Sequence, residues 1–466
     1  MNKTKKLISN TLILSIGNLG SKVAAIFLVP LYTHFLSKSN FGIADVLTTT
    51  ITVLTPIFAL SIADAVFRFA LDPKENKKEI LSTGIVITFI GSCLAFSMIP
   101  LISIYLNVHY SVFLMLSVVI SIITSLLSNF MKVIDKVLIF TLSGIVSTLV
   151  LILSNIILLF EFRMGLDGYF LSAIFSGLSG IIFIILFGKV HHFVDLHQIN
   201  LTSAKKMIKY SLPLIPNAMS WWLTNDANRI IILMFVGSSA NGLYAVANKI
   251  PAVFSMFFAI FSQAWQISAV EEFESENRSE FYSVVLQRMI EFSMLFNIFV
   301  LFFVKNIMSM FVSDSFYAAW KLVPILLLTV MYSNISSFVG TTYIAAKKTS
   351  MITITTFLGM AINICLGLFL VKNYGVQGVI FGGTVGFFVI TVIRLINTRS
   401  LVNIKLNYKV MVIDHIILGL MIYSLFINTL SSELILGFRI ILVLSMLYLN
   451  KKFILSLLNI VRMKKR

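Results

Sequence analysis

The chain has 466 residues, of which 58% are hydrophobic and only 12% are charged, and its formal net charge is +17. A soluble protein of this length would expose many more charged side chains, so the composition excludes that class. The excess of Lys and Arg falls in alternate loops rather than in one basic patch, which argues against nucleic acid as a partner. We therefore expect an all-α polytopic protein embedded in the lipid bilayer.

The apolar runs predict about fourteen membrane-spanning helices, because each run is long enough to cross roughly 30 Å of hydrocarbon. The connections between them are mostly short, and the longer ones lie on one side of the membrane. In chain order, the predicted spans are residues 10–34, 43–66, 80–104, 110–131, 138–160, 168–188, 210–236, 242–265, 284–304, 322–345, 351–371, 376–397, 409–428 and 434–451.

Basic residues mark the side of the membrane that faces the cytoplasm. They recur in alternate loops, for example at 74–78 and 205–209, and in the C-terminal tail. Both termini are therefore expected in the cytoplasm. One loop on that side contains His191, His192 and His197. Without a Cys or an HExxH spacing nearby, these histidines predict solvated surface, and we expect no metal site.

The sequence contains an internal repeat. Residues 35–46, FLSKSNFGIADV, match residues 235–246, FVGSSANGLYAV, with Gly42 on Gly242. Residues 164–177, MGLDGYFLSAIFSG, match residues 374–387, YGVQGVIFGGTVGF, with Gly165 on Gly375. Both matches occur in the same order and at nearly the same shift, so we interpret them as a duplication of six spans.

The duplication predicts the domain organisation. We expect an N-terminal lobe at 1–200, a C-terminal lobe at 201–400, and a segment at 401–466 with two further spans and a basic cytoplasmic tail. Six spans return the chain to the same side, so the two lobes are parallel repeats. In transporters built from such repeats, the substrate pathway lies between them.

Charged residues inside spans are candidates for function because they are costly in hydrocarbon. Lys22 lies near the middle of the first span and has no carboxylate three or four residues away. We expect it to face a water-filled cavity, and a remote acidic partner is the alternative. Lys249 has no such neighbour either, although its position would allow it to extend to the interface.

The most polar stretch inside a span is WWLTNDANRII at residues 221–231. Arg229 follows Asp226 by three residues, so both lie on one helical face and could form a structural ion pair. A cavity-facing role for Arg229 is the other interpretation. Asn225 and Asn228 lie beside them, and Trp221 and Trp222, one to two turns earlier, could stack on sugar faces or pack against lipid and helices.

Other intramembrane charges predict structural pairs. Asp64 and Arg68 are four residues apart near the end of the second span, and Glu291 follows Arg288 by three. Buried cations on both lobes, Lys22, Arg229 and Lys249, would suit a multivalent anion such as a diphosphate, since Arg offers a donor fork and Lys a point charge.

Motifs for catalysis are missing from the sequence. There is no GxxxxGKS-type phosphate loop, no HExxH and no Gly-x-Ser-x-Gly, and the loops on the outer side are short. We therefore expect a carrier without a cofactor and not an enzyme.

Four stretches carry a resemblance to a known family: VPLYTHFLSKSNFGIADV (29–46), LPLIPNAMSWWLTNDANRIII (212–232), NGLYAVANKI (241–250) with FSQAWQISAVEE (261–272), and YIAAKKT (343–349). They resemble the polysaccharide transporter branch of the multidrug/oligosaccharidyl-lipid/polysaccharide (MOP) exporter superfamily, and more narrowly the Wzx-type repeat-unit flippases. The resemblance covers spans one to twelve.

The resemblance implies a two-lobed, alternating-access transporter in a bacterial cytoplasmic membrane. Its substrate would be an undecaprenyl-diphosphate-linked oligosaccharide destined for capsule, exopolysaccharide or O-antigen, with a polysaccharide polymerase and a chain-length regulator as further partners. Cavity cations on the first span of each lobe would meet the diphosphate, and the matching positions here are Lys22 and Arg229. The small number of cavity arginines disfavours a peptidoglycan precursor.

Two other functions compete with the flippase. In a cation-coupled multidrug exporter of the same superfamily, Asp226, Asp64 or Asp45 would be the ion site. In a membrane glycan polymerase or ligase, polar catalytic residues would be needed in a large outer loop, which this sequence lacks.

Overall fold

The structure is a computed structural model that describes residues 26–456 except 73, 105, 349 and 428–430, and that describes only the backbone at 217, 221, 224, 225 and 263. No strand occurs among these residues. The helices are α1 Val29–Phe35, α2 Lys38–Phe58, α3 Ile62–Ala70, α4 Lys77–Ser97, α5 Ile99–Ile102, α6 Val108–Val133, α7 Val137–Asn155, α8 Gly165–Gly188, α9 Leu201–Ser211, α10 Leu214–Phe235, α11 Ser238–Ala247, α12 Lys249–Glu271, α13 Arg278–Phe311, α14 Val323–Ala345, α15 Ser350–Asn397, α16 Tyr408–Phe426 and α17 Ser432–Leu449.

Eleven helices in the described part of the chain are long and apolar enough to cross a membrane. The longest of them, Ser350–Ser400, contains two of the predicted spans. The helix α10, which carries the polar stretch around Arg229, is not one of the eleven. The chain is thus an all-α multi-pass membrane protein, as predicted. The count of fourteen spans stays a prediction, and the first predicted span lies mostly outside the described residues.

Two compact units make up the chain. The first contains the chain up to Leu233 together with Gly237–Gly242, and the second contains Met234–Val236 and everything from Leu243 onwards. The lobe boundaries predicted at 200 and 400 stay a prediction.

The core of the first unit is built on α6, which contacts α2, α3, α4 and α8. Large side chains such as Phe130 and Met115 are fully buried there. Small residues, Ser and Gly, let α7 and α8 approach closely: the Ser176 hydroxyl donates to the Ser147 carbonyl at 2.7 Å. Small residues at such contacts are typical of helix packing in membranes.

The second unit is organised around α14, which packs against α12, α13 and α15. The Trp265 indole stacks on Phe338 with ring centroids 4.1 Å apart and donates to the Thr341 hydroxyl at 2.6 Å. A buried indole is stable in this position because its N–H has a partner.

The repeated Gly-x-x-Gly turns have matching backbone conformations. Gly165 begins α8 with φ of 57°, and Gly375 interrupts α15 with φ of 54°. Only glycine adopts this left-handed region without strain, so the turn type explains the residue in both places. The two predicted spans within α15 are therefore separated at the predicted glycine.

The second predicted span, residues 43–66, is wrong as a single helix. The chain forms α2 and α3 with a break between them, where Leu60 and Ser61 both have positive φ. Pro56 lies inside the last turns of α2, and the Ser61 amide donates to its carbonyl at 2.9 Å. Proline lacks an amide hydrogen and crowds the preceding turn, which favours such a break.

The predicted pair of Asp64 and Arg68 is also wrong. Both side chains are exposed on α3 and no ion pair joins them. Helical spacing allows such a pair, but two exposed groups gain little from ordering their side chains. The predicted pair on α13 is confirmed, because Arg288 Nη1 lies 2.9 Å from Glu291 Oε2.

Candidate functional site

Arg229 is held between two carboxylates. Its Nε donates to Asp45 Oδ2 at 2.6 Å, and its Nη1 donates to Asp226 Oδ1. The Arg229 and Asp45 side chains are each 12% exposed, and that of Asp226 is 24% exposed. The structural pair with Asp226 is therefore present, and a partner from a distant helix is added to it.

The two helices that meet here run antiparallel. On α10, Trp222, Asp226 and Arg229 follow a spacing of four and three residues, so they lie on one face. On α2, Asp45 and Thr49 are one turn apart and also share a face. Trp222 Nε1 donates to the Thr49 carbonyl at 2.9 Å. This is a second bond between α2 and α10, about two turns along α10 from the Arg229–Asp45 bond.

This arrangement determines the local charge. Two carboxylates surround one guanidinium, so the cluster carries a formal charge of −1 when all three groups are ionised. Two of the five N–H donors of the guanidinium are bonded to these carboxylates, so an anion that takes either donor replaces a carboxylate. Removing one partner from a fully buried pair costs roughly 3–5 kcal/mol, and in this partly buried cluster that value is the upper bound for the cost of the exchange.

The cluster lies close to one end of both helices. Asp45 is one helical turn from Gly42, and Arg229 is about 9 Å from the end of α10 at 1.5 Å per residue. Beyond that end, residues 37–42 contact Gly237–Gly242, and we call these two segments the paired turns. Ser39 Oγ and Ser238 Oγ are 2.7 Å apart, and Asn241 Nδ2 donates to the Gly42 carbonyl at 2.9 Å.

Glycine is required on both sides of the paired turns. A Cβ at Gly42 would lie 2.0 Å from the Ser238 carbonyl oxygen, and one at Gly242 would lie 2.0 Å from that of Lys38. Both obstacles are backbone atoms, so no side-chain movement could relieve them. The repeat found in the sequence thus brings its two copies into direct contact with each other.

The remaining predicted site residues are placed as follows. Asn228 is 8% exposed, and its Oδ1 has no hydrogen-bond partner among the described residues. The side chains of Trp221 and Asn225, and the whole of Lys22, lie outside the described part of the chain. Lys249 is half-buried at the start of α12 in the second unit. That Lys22, Arg229 and Lys249 converge on one cavity stays a prediction.

Sequence reasoning missed two features of the intramembrane charges. Asp45 was considered only as an ion site, because its partner Arg229 is 184 residues away and nothing local connects them. The second is Arg394, which lies within a predicted span and is only 5% exposed. An intramembrane charge without a local partner was the available signal in both cases.

Arg394 bonds to neutral acceptors on α14 and α15. Its Nε donates to Thr355 Oγ1 at 3.0 Å, its Nη1 to the Ser336 carbonyl at 2.8 Å, and its Nη2 to Thr356 Oγ1 at 2.9 Å. No Asp or Glu in the described residues forms an ion pair with it. Gly340 leaves the necessary space, because a Cβ there would lie 2.9 Å from Nη1.

We expect Arg394→Ala to lower the free energy of unfolding by at least about 2 kcal/mol, because each hydrogen bond to a charged group contributes roughly 1.5–3 kcal/mol. The thermal unfolding midpoint of the purified protein in detergent is the measurement. Arg399→Ala is the matched control, since Arg399 is exposed five residues later. Equal midpoints for the two variants would show that the Arg394 bonds do not stabilise the second unit.

Comparison with known proteins gives a family match over more than half of the chain. Residues 7–266 match the family described as polysaccharide biosynthesis protein. A relative from Haloferax volcanii, described as a "Probable low-salt glycan biosynthesis flippase Agl15", is 23% identical over 249 residues. That match covers 53% of this chain and 52% of the relative, so the chain spans about half the length of that curated relative.

Solved structures share the fold over most of the chain. The lipid II flippase MurJ in an inward closed conformation superposes with a TM-score of 0.67 at 14% identity, over 97% of this chain and 100% of that one. An inward-facing multidrug resistance transporter of the MATE family, in the MOP superfamily, gives 0.66 at 13% identity, over 83% and 95%. These likenesses confirm the fold predicted from the resemblance to the MOP superfamily.

Proposed function

Because the chain belongs to the polysaccharide biosynthesis protein family, we propose that it is a flippase for lipid-linked oligosaccharides. Its substrate is an undecaprenyl-diphosphate-linked repeat unit, moved from the inner to the outer leaflet of a bacterial cytoplasmic membrane for capsule, exopolysaccharide or O-antigen assembly. The observation that carries the proposal is the guanidinium of Arg229 on α10, held between the carboxylates of Asp45 and Asp226. No enzymatic step is required of the chain.

In this proposal Arg229 exchanges partners during transport. The diphosphate of the substrate displaces Asp45 from the guanidinium, whose planar fork suits phosphate oxygens as well as carboxylates. Asp226, three residues earlier on the same helix, keeps the Arg229 side chain oriented. Lys22, Lys249, Asn225 and Asn228 contribute further polar contacts around the headgroup, and Trp222 lies at the sugar side.

In this proposal the paired turns close the pathway on the outer side, because they lie at the end of α2 away from the basic loop at 74–78, which is expected to face the cytoplasm. They lie one helical turn beyond Asp45, so the Arg229–Asp45 bond joins α2 to α10 and the paired turns join α2 to the start of α11, which follows α10 at the same end. When the diphosphate takes Arg229, α2 loses one of the bonds that hold it against α10. A ligand shifts a conformational equilibrium only through such differential contacts. Binding of substrate from the inside thereby favours opening to the outside.

Cation coupling would act on carboxylates of the first unit, inside or outside the Arg229 cluster. Of the candidate ion sites, Asp226 is in contact with Arg229, and Asp64 is exposed on α3 away from any ion pair in the described residues. Asp45 joins them because a cation bound to its carboxylate would compete with Arg229 for it. Each of these carboxylates could couple a proton or a metal cation to transport.

A cation-coupled multidrug exporter is the second candidate, and the excess of carboxylates over guanidinium around Arg229 is the observation that favours it. Drug sensitivity separates the two functions. A deletion strain that becomes sensitive to cationic drugs while it keeps normal surface polysaccharide would favour the exporter.

The flippase is tested by a deletion strain in which undecaprenyl-linked repeat units are assayed for their leaflet. Accessibility to an impermeant glycan-modifying reagent in intact spheroplasts is the measurement. We expect repeats to accumulate in the inner leaflet without the protein and to reach the outer leaflet with it. Outer-leaflet repeats in the deletion strain would exclude the flippase, and unpolymerised repeats there would indicate a polymerase.

A further inference from the structure

The first unit contains an apolar cavity of about 770 Å³ that is separate from the Arg229 cluster. It lies between α4, α6 and α8, with walls that include Ile85, Phe89, Phe96, Val119 and Ile123. The volume is in the range of roughly 300–1,000 Å³ that small-molecule pockets occupy in proteins.

The cavity opens towards the outside of the helix bundle. Phe89 is 67% exposed and Phe96 is 41% exposed, so this wall faces the hydrocarbon of the bilayer. Few polar groups line the cavity: the Ser92 hydroxyl donates to the Thr88 carbonyl of its own helix at 2.8 Å, and the buried Thr88 hydroxyl has no partner among the described residues. A mainly apolar wall of this kind favours an aliphatic chain as the bound group.

The dimensions match a single lipid chain. Ile85 to Phe96 along α4 is about 16 Å at 1.5 Å per residue. One leaflet of the hydrocarbon core is about 15 Å deep, half of the roughly 30 Å of a bilayer. The cavity is therefore about as long as one leaflet is deep, and along α4 it extends to Phe96, one residue before the helix ends.

The end of the cavity at that surface is basic. Val190, His191 and Val194 close it, immediately after the end of α8. Lys189, His191 and His192 are exposed there, and the two imidazole rings lie 4.2 Å apart. The acid in the same turn, Asp195, is engaged locally, since it accepts from the His197 amide at 3.0 Å and from Gln198 Nε2 at 2.8 Å.

We propose that this cavity is a binding site for one anionic phospholipid, with an acyl chain in the cavity and the phosphate headgroup on Lys189, His191 and His192. A single phospholipid accounts for three features of the cavity together: its length of about one leaflet, its apolar wall and its basic end. Basic residues next to a spanning helix attract anionic lipids. The site does not depend on the transported substrate, so it stands or falls separately from the proposed function.

Native mass spectrometry of the purified full chain tests the site, with dioleoyl-phosphatidylglycerol and dioleoyl-phosphatidylcholine as probes. We expect the wild type to retain one phosphatidylglycerol in preference to phosphatidylcholine. Cys93→Trp, which places an indole on the cavity wall, should reduce this retention at least about tenfold because the ring takes the volume that the chain needs. Leu94→Trp is the matched control, since Leu94 is 54% exposed and does not line the cavity.

The headgroup is tested by Lys189→Gln/His191→Gln/His192→Gln, which should abolish the preference for phosphatidylglycerol. Lys205→Gln removes the same formal charge elsewhere on the first unit and should preserve it. Equal retention in Cys93→Trp and wild type would overturn the proposal. So would displacement of phosphatidylglycerol by an equimolar prenyl phosphate, because the occupant would then be a prenyl lipid.

A direct measurement on the wild type does not depend on any variant. Phosphatidylglycerol with a photoactivatable group on its acyl chain should label peptides of α4 and α6, including those around Cys93 and Ile123. Labelling confined to other helices would contradict the site.

Discussion

Arg229→Met is expected to stop the outward movement of lipid-linked repeat units and to eliminate surface polysaccharide. Truncating one partner of a buried, hydrogen-bonded charge pair costs about 2–5 kcal/mol, so headgroup binding should fall by roughly thirtyfold or more. The measurement is the leaflet distribution of undecaprenyl-linked repeats in a deletion strain that expresses the variant.

The same substitution also leaves Asp45 and Asp226 partly buried without their cation. This alone destabilises the protein by up to about 3–5 kcal/mol, so a loss of transport could reflect a loss of folded protein. A neutral triple variant, Asp45→Asn/Asp226→Asn/Arg229→Met, removes all three charges together. Replacing a complete buried charge cluster is close to neutral for stability, and we expect this variant to accumulate normally in the membrane.

The neutral triple variant should nevertheless remain unable to move the substrate, because it has no guanidinium for the diphosphate. Arg68→Met is the control for a loss of positive charge, since Arg68 is exposed and forms no ion pair with Asp64. A triple variant that is present in the membrane and exports polysaccharide at the wild-type rate would contradict the role proposed for Arg229.

Cross-linking the paired turns is expected to arrest transport reversibly. Ser39→Cys/Ser238→Cys replaces two hydroxyls whose oxygens lie 2.7 Å apart, and a disulfide requires about 2.05 Å between its sulfurs. Under mild oxidation the bond should form and hold the outer side closed. Export should then fall almost to the level of the deletion strain and recover when a reductant is added.

The design uses a background of Cys93→Ser/Cys365→Ser, because these are the two cysteines of the chain. Ser39→Cys/Ser239→Cys is the matched control: Ser239 is the next residue, and its side chain is exposed. It should cross-link far less and keep its activity. A fully cross-linked Ser39→Cys/Ser238→Cys protein that still exports polysaccharide would show that the paired turns do not separate during transport.

Much of the fold could be predicted because its signals are local or repetitive. Apolar runs of sufficient length predicted the spanning helices. The positive φ of Gly165 and Gly375 is what a repeated Gly-x-x-Gly turn requires. The pairs Asp226–Arg229 and Arg288–Glu291 are three residues apart, and helical geometry alone places such residues together.

The contacts that sequence reasoning missed join distant parts of the chain. Asp45 reaches Arg229 across 184 residues, and Arg394 reaches Ser336 across 58. Spacing along a helix determines which face a residue occupies, but not which other helix packs against that face. From the sequence, Arg229 therefore had one acidic neighbour, Asp226, whereas the structure adds Asp45 as a second carboxylate partner.

The break after Phe58 was missed for a related reason. Pro56 was visible in the sequence, but proline is tolerated in membrane helices when neighbouring groups satisfy the freed backbone. Here Gly91 of α4 lies against the break, where an added Cβ would be 2.1 Å from the Phe58 carbonyl oxygen. That close approach depends on how α2 and α4 pack, which local patterns do not reveal.

The central claim is tested most directly with purified protein in liposomes that contain an undecaprenyl-diphosphate-linked oligosaccharide. The transbilayer movement of the lipid is followed by accessibility to an impermeant glycan-modifying reagent, and the neutral triple variant at Asp45, Asp226 and Arg229 is the reference. We expect the wild type to move the lipid and the variant to leave it as slow as in protein-free liposomes. Equal rates for wild type and protein-free liposomes, or for wild type and variant, would contradict a flippase that acts through Arg229.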